Sequence, residues 1–174
     1  MFNIFIKDLN NLYLCEIRVM KLYRLHEIQN LPISMEQAWK FLSDPKNLKK
    51  ITPDYMRFEI LCGDEKMMYP GQIIKYIVTP VMGIPTQWVT EITHFKEGEY
   101  FVDEQRFGPY ALWHHKHFIR PIKNGIEMED IIDYKIPLGI LGQMVHPILV
   151  KPKLREIFKY RKKKLSELFG EYKS

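Results

Sequence analysis

The sequence predicts an α+β domain: a strongly curved antiparallel sheet wrapped around one long C-terminal helix, with two short helices after the first strand. Three observations carry this. Strand-like segments follow one another without interruption from Arg57 to Ile136, separated by turn-forming sequences at hairpin spacing. A single long amphipathic segment then closes the chain, with Leu154, Ile157, Phe158, Leu165 and Leu168 at helical spacing. An antiparallel sheet of that size must bury one face, and only this segment is long enough to cover it. A curved sheet held around one helix leaves a space between them, which is where a ligand pocket would lie.

Each element has a local reason. Leu22 to Ile28 is β-compatible and ends before Pro32. Ser34 is a good N-cap, and Gln37 three residues on completes a capping box for a helix whose apolar side is Ala38, Trp39, Phe41 and Leu42. Asp44 caps a second short helix with Pro45 at its first position, running from Lys46 to Ile51. The strands are then Arg57–Leu61, Gly71–Thr79, Gln87–Phe95, Tyr100–Phe107, Ala111–Ile122 and Ile126–Ile136. Gly63-Asp64, Tyr69-Pro70-Gly71, Gly83-Ile84-Pro85, Glu97-Gly98, Gly108-Pro109 and Asn124-Gly125 separate them. Pro147 and Pro152 break or kink the approach to the closing helix. Residues 1–19 read as an extension: polar residues interrupt their apolar ones, and no signal-peptide cleavage site follows. The domain is expected to span residues 20–174.

The chain of 174 residues suits one domain, and 46% hydrophobic with 27% charged residues is globular composition. Two cysteines, Cys15 and Cys62, exclude a disulfide scaffold and a Cys-rich zinc site. No apolar run is long enough for a transmembrane helix, and the expected location is cytoplasmic. The net charge of +5 is concentrated between Lys151 and Lys164, where only Glu156 opposes the basic residues. That charge is expected on the outer, solvated face of the helix. Peripheral contact with an acidic membrane or a partner is its alternative use. Zinc-finger spacing and RNA-binding aromatic motifs are lacking, so no nucleic-acid partner is expected. Nor does the sequence contain a phosphate-binding glycine motif.

Several segments carry a resemblance: Trp39-Lys-Phe-Leu-Ser-Asp-Pro-Lys-Asn-Leu48, Ile51-Thr-Pro53, Asp103-Glu-Gln105, Gly108-Pro-Tyr110, Trp113-His-His-Lys-His117, Asp130 through Pro137-Leu-Gly139, and Ile157-Phe-Lys-Tyr-Arg161. From Met20 to about Gly170 the chain resembles the START-like, helix-grip superfamily, also called SRPBCC or polyketide cyclase/dehydrase-like. The resemblance is to a largely uncharacterised bacterial branch, some of whose members are labelled cell-division inhibitors or coenzyme Q-binding-like proteins. It implies the fold and a hydrophobic cavity, but no single reaction.

Strand register selects the polar residues of that cavity. A two-residue turn at Asn124-Gly125 would pair Lys123 with Ile126, Arg120 with Glu129 and Lys116 with Asp133, two opposite-charge pairs on one face. The other face then carries Trp113, His115, His117, Ile119, Asp130, Ile132 and Tyr134, with Asp130 diagonal to His117. A His–Asp hydrogen bond there would raise the histidine pKa. The preceding strand adds one or two of Asp103, Glu104 and Gln105; the resemblance favours Asp103 and Gln105. Three readings stay open: a satisfied polar network, a grip on the polar end of a hydrophobic ligand (lipid, quinone or polyketide-like), or chemistry. The chemistry would be that of a cyclase or dehydratase using a His–Asp acid/base pair. A cell-division or regulatory adaptor acting through its surface is a further alternative. No cofactor is expected. No metal is expected either, because His115 and His117 would need Asp130 as third ligand.

Overall fold

The computed structural model describes residues 21–79 and 83–173. The extension and the first residues of the Pro80–Pro85 loop lie outside the described residues. A seven-stranded antiparallel sheet has the order β1-β7-β6-β5-β4-β3-β2. Its strands are β1 (Tyr23–Leu31), β2 (Glu59–Cys62), β3 (Ile73–Val78), β4 (Thr86–Lys96), β5 (Tyr100–Phe107), β6 (Leu112–Ile122) and β7 (Gly125–Lys135). The first strand is therefore not separate from the hairpin series; it pairs with β7 along its whole length.

Helix α1 (Met35–Leu42) starts on the expected capping box: the Gln37 amide donates to Ser34 Oγ, and the Ser34 amide donates to Gln37 Oε1. Pro45–Ile51 is a 3-10 helix rather than an α-helix, capped by Asp44. After β7 come α2 (Gly139–Val145), a π-helical turn over His146–Val150 that contains Pro147, and α3 (Lys151–Phe169). The proline cannot donate an amide hydrogen bond, and the turn widens there instead of breaking.

Helix α3 lays Leu154, Phe158, Arg161 and Leu165 against the concave face of the sheet. Arg161 belongs to the basic run expected on the outer face, and it is buried. It lies seven residues after Leu154, two helical turns on, so its position places it inside despite its charge.

The β6–β7 register also differs from the expectation. The turn residues are Lys123 and Asn124, with Ile122 opposite Gly125, and the pairing slides by two residues. Asn124 supplies the left-handed position, at φ 61. Gly125 is a strand residue: a Cβ there would run into the Leu31 carbonyl at the end of β1. A two-residue slide preserves the faces. His117 now lies directly opposite Asp130, and His115 opposite Ile132. The two charge pairs survive as diagonals, Arg120–Glu129 at 2.6 Å and Lys116–Asp133 at 2.9 Å.

Candidate functional site

Between the sheet and α3 is a cavity of about 170 Å³. Alternation along β3 and β4 turns Ile74, Tyr76, Val78, Trp88, Thr90 and Ile92 into it. Trp88 and Trp113 meet edge to face at 5.2 Å, and the Tyr76 and Thr90 hydroxyls are 3.0 Å apart. Phe158 and Arg161 come from α3. For scale, a dry cavity of about 150 Å³ holds a benzene ring.

One wall is polar. Asp103, His115 and His117 line the cavity from β5 and β6. Asp130 on β7 lies behind them, with a nearly inaccessible side chain. His115 Nε2 donates to Asp130 Oδ1 at 3.1 Å, and His117 Nε2 donates to Asp103 Oδ2 at 2.8 Å. The opposite nitrogens are also close to carboxylates: His115 Nδ1 is 3.4 Å from Asp103 Oδ2, and His117 Nδ1 is 2.8 Å from Asp130 Oδ1. The last contact has ion-pair distance but lacks hydrogen-bond geometry. Arg161 Nη2 stands 3.6 Å from Asp130. The two imidazole centroids are 3.7 Å apart with the rings tilted by 40°, and Phe101 stacks on His117 at 4.2 Å.

The environment separates the two histidines. Burial, helped by the His117 charge, pushes His115 down to about 4 against the pull of both aspartates. Burial also opposes the charged form of His117, but its contacts with Asp103 and Asp130 outweigh this and raise its pKa. Only His117 thus shows the increase expected from an aspartate neighbour. Burial would raise both carboxyls, yet the charges around them prevail. Asp103 is lowered by His115 and His117, and Asp130 is held well below the ordinary range by Arg161 and the two histidines. The wall thus gathers two carboxylates, two imidazoles and one guanidinium, and of the two imidazoles His117 is the one whose surroundings favour a proton.

The other residues expected in the site lie as follows. Trp113 lines the cavity. Gln105 faces the β5–β6 turn, where its amide donates to the Tyr110 carbonyl at 2.6 Å and accepts from the Tyr110 amide. Glu104 points outward, to Thr93 and Arg106. Tyr134 is buried beside the cavity, and its hydroxyl meets His146 Nε2 at 2.8 Å below the π-turn. Tyr76, Trp88, Thr90, Tyr110 and Arg161 also line the cavity, beyond the site residues expected from the sequence. Strand alternation on β3 and β4 was the signal for the first three, and helical spacing was the signal for Arg161.

No protein-family profile matches the chain, and no curated protein matches it. Solved structures do. A protein of Chromobacterium violaceum is similar at TM-score 0.64 and 16% identity, covering 88% of this chain and 100% of that one. Ginseng major latex-like protein 151 from Panax ginseng has TM-score 0.60 at 8% identity, covering 85% and 97%. Ara h 8.0201 has TM-score 0.56 at 16% identity, covering 84% and 99%. The architecture is the helix-grip fold shared with these structures, a sheet curved around a C-terminal helix with a cavity between them. At these identities the likeness is one of fold.

Proposed function

We propose that the protein binds a small, largely apolar molecule carrying an oxygen acceptor, with its apolar part among the aromatic side chains and its polar end on the His–Asp–Arg wall. The observation that carries this reading is the composition of the cavity: an aromatic chamber closed on one side by a wall of two carboxylates, two imidazoles and a guanidinium that contact one another. Such a wall can orient the polar end of a ligand while its own buried groups stay paired. Trp88 Nε1 and Arg161 Nε support it, since both are buried donors without a hydrogen-bond partner among the described residues. Lipid, quinone and polyketide-like compounds share this chemistry. The cavity volume favours a single ring or a short chain. Residues 20–174 are the ligand-binding unit in this reading. Acetophenone, an aromatic ring with one carbonyl, is a suitable probe by tryptophan fluorescence. It should bind one to one and lose at least tenfold in affinity in Thr90→Phe, which fills the chamber. Asp133→Asn, on the outer face, should bind as wild type does. Equal affinity in all three would refute the cavity as the site.

We further propose that the protein meets an acidic membrane surface. A specific observation moves this contact away from Lys162–Lys164, where Lys162 is paired with Glu27 and Lys164 with Glu167. Leu138, Ile140, Leu141, Met144, Val145 and Ile148 are all exposed. They lie at the end of the sheet where Ile84, Phe107 and Leu112 are also exposed. No acidic residue occurs between Asp133 and Glu156, while Lys151 and Arg155 are exposed at the start of α3. An apolar stripe beside cations fits anionic lipid. Among the described residues no helix is long and apolar enough to cross a membrane. Flotation should show binding to vesicles containing phosphatidylglycerol, weaker binding to pure phosphatidylcholine, and loss in Ile148→Asp. Binding indifferent to lipid charge and to that change would contradict the surface.

A further inference from the structure

We infer that Asp103, His115 and His117 form a site for a divalent transition-metal ion, open toward the cavity. The three offer ligand atoms that all lie within 4.8 Å of one another. Two ligands each about 2.1 Å from one ion stand roughly 3.0–3.4 Å apart at octahedral or tetrahedral angles. Asp103 Oδ2 is 2.8 Å from His117 Nε2 and 3.4 Å from His115 Nδ1, close to that spacing before any ion is added.

The far side of each ring strengthens the assignment. Imidazoles that bind a metal usually give their other nitrogen to a carboxylate, which fixes the ring and the tautomer. Here one buried carboxylate, Asp130, takes the hydrogen bond of the far nitrogen of His115, Nε2 at 3.1 Å, and stands 2.8 Å from the far nitrogen of His117, Nδ1, in ion-pair contact without hydrogen-bond geometry. Where His115 Nε2 meets Asp130, Nδ1 is the nitrogen left to bind an ion beside Asp103 Oδ2. Metal binding displaces any proton from the ligating nitrogens, and Asp103 and Asp130 against Arg161 then leave a net negative surround for the cation. Two imidazoles and one carboxylate suit Zn²⁺, Co²⁺ or Fe²⁺ better than Mg²⁺ or Ca²⁺. Asp103, His115 and His117 line the cavity whereas Asp130 lies behind them, so the vacant coordination positions face the chamber. An oxygen donor there would complete the coordination. The site is read from protein groups alone and does not depend on which organic ligand binds.

Titration of Co²⁺ into chelator-treated protein tests this, with visible absorption as the readout. One Co²⁺ per chain should bind with micromolar or tighter affinity and give d–d bands of a nitrogen- and oxygen-ligated ion. Asp103→Asn and His117→Gln should each weaken binding at least 100-fold. Asp130→Asn should weaken it about 10–100-fold, as expected for a group that orients the ligands. His114→Ala, on the outer face next to His115, should change nothing. If a ligand variant does not fold, X-ray absorption at the zinc edge of loaded wild type should still show two imidazoles. No spectral change up to millimolar Co²⁺, binding that survives Asp103→Asn, or dependence on His114 would overturn the assignment.

Discussion

Taking a guanidinium out of water costs several kcal/mol unless a carboxylate stands close by. Arg161 is buried with its Nη2 3.6 Å from Asp130, whose own carboxylate is stripped of solvent. Removing Arg161 leaves that anion short of its cation. Arg161→Leu should therefore cost about 3–5 kcal/mol in urea unfolding. Lys163→Ala, with an exposed side chain two positions along the same helix, should cost less than about 0.5 kcal/mol. Comparable losses would show that Arg161 is not part of the buried cluster. Arg161 also shows where the sequence was legible and where it was not. Its spacing from Leu154 marks the inner face, but it stands in a dense run of lysines that reads as solvent-facing. The partner that makes its burial tolerable, Asp130, is on a strand whose register the turn left ambiguous. Asp103 was similar: Gly108-Pro109 does not set a strand phase, and only pairing with His115 turns it inward.

Among the elements, the β6–β7 hairpin was legible in its faces and misread in its turn. The charge pairs identified the outer face, because opposite charges remain close whether directly opposed or diagonal. They could not distinguish registers that differ by two residues. Gly125 settles the matter by close approach to Leu31, which depends on β1 and is invisible from the hairpin alone. Gly125→Ala should destabilise the fold markedly, since the Leu31 carbonyl must move, whereas Asn124→Gly, at a left-handed position that glycine accepts freely, should be nearly neutral. The reverse ranking in thermal unfolding would restore the Asn124-Gly125 turn. The π-turn carries a pH signature. Burial and the Lys151 and Lys21 charges hold the His146 imidazole below its ordinary value. As pH falls through about 6.5 the unfolded chain takes up the proton first, so folded-state stability falls. His146→Gln removes that contribution. The stability advantage of wild type over this variant should shrink between pH 7.5 and 5, and a constant gap would contradict the role assigned to His146.

For the whole molecule, consecutive hairpins plus one long amphipathic helix sufficed to predict the architecture. The inclusion of β1 in the sheet was not legible, because its partner β7 is the last strand in the chain. If the domain is self-sufficient, removing residues 1–19 should leave the thermal midpoint within a few degrees. A fall of more than about 8 °C would place the extension in the packed fold.

The central claim is that the chamber between sheet and helix is a binding site rather than a packing defect beside a polar network. Native mass spectrometry of the protein as purified, set against Thr90→Phe, addresses it most directly. Wild type should carry one non-covalently held small molecule that is released on denaturation, and the filled variant should travel without it. The same bare mass for both chains would contradict the claim.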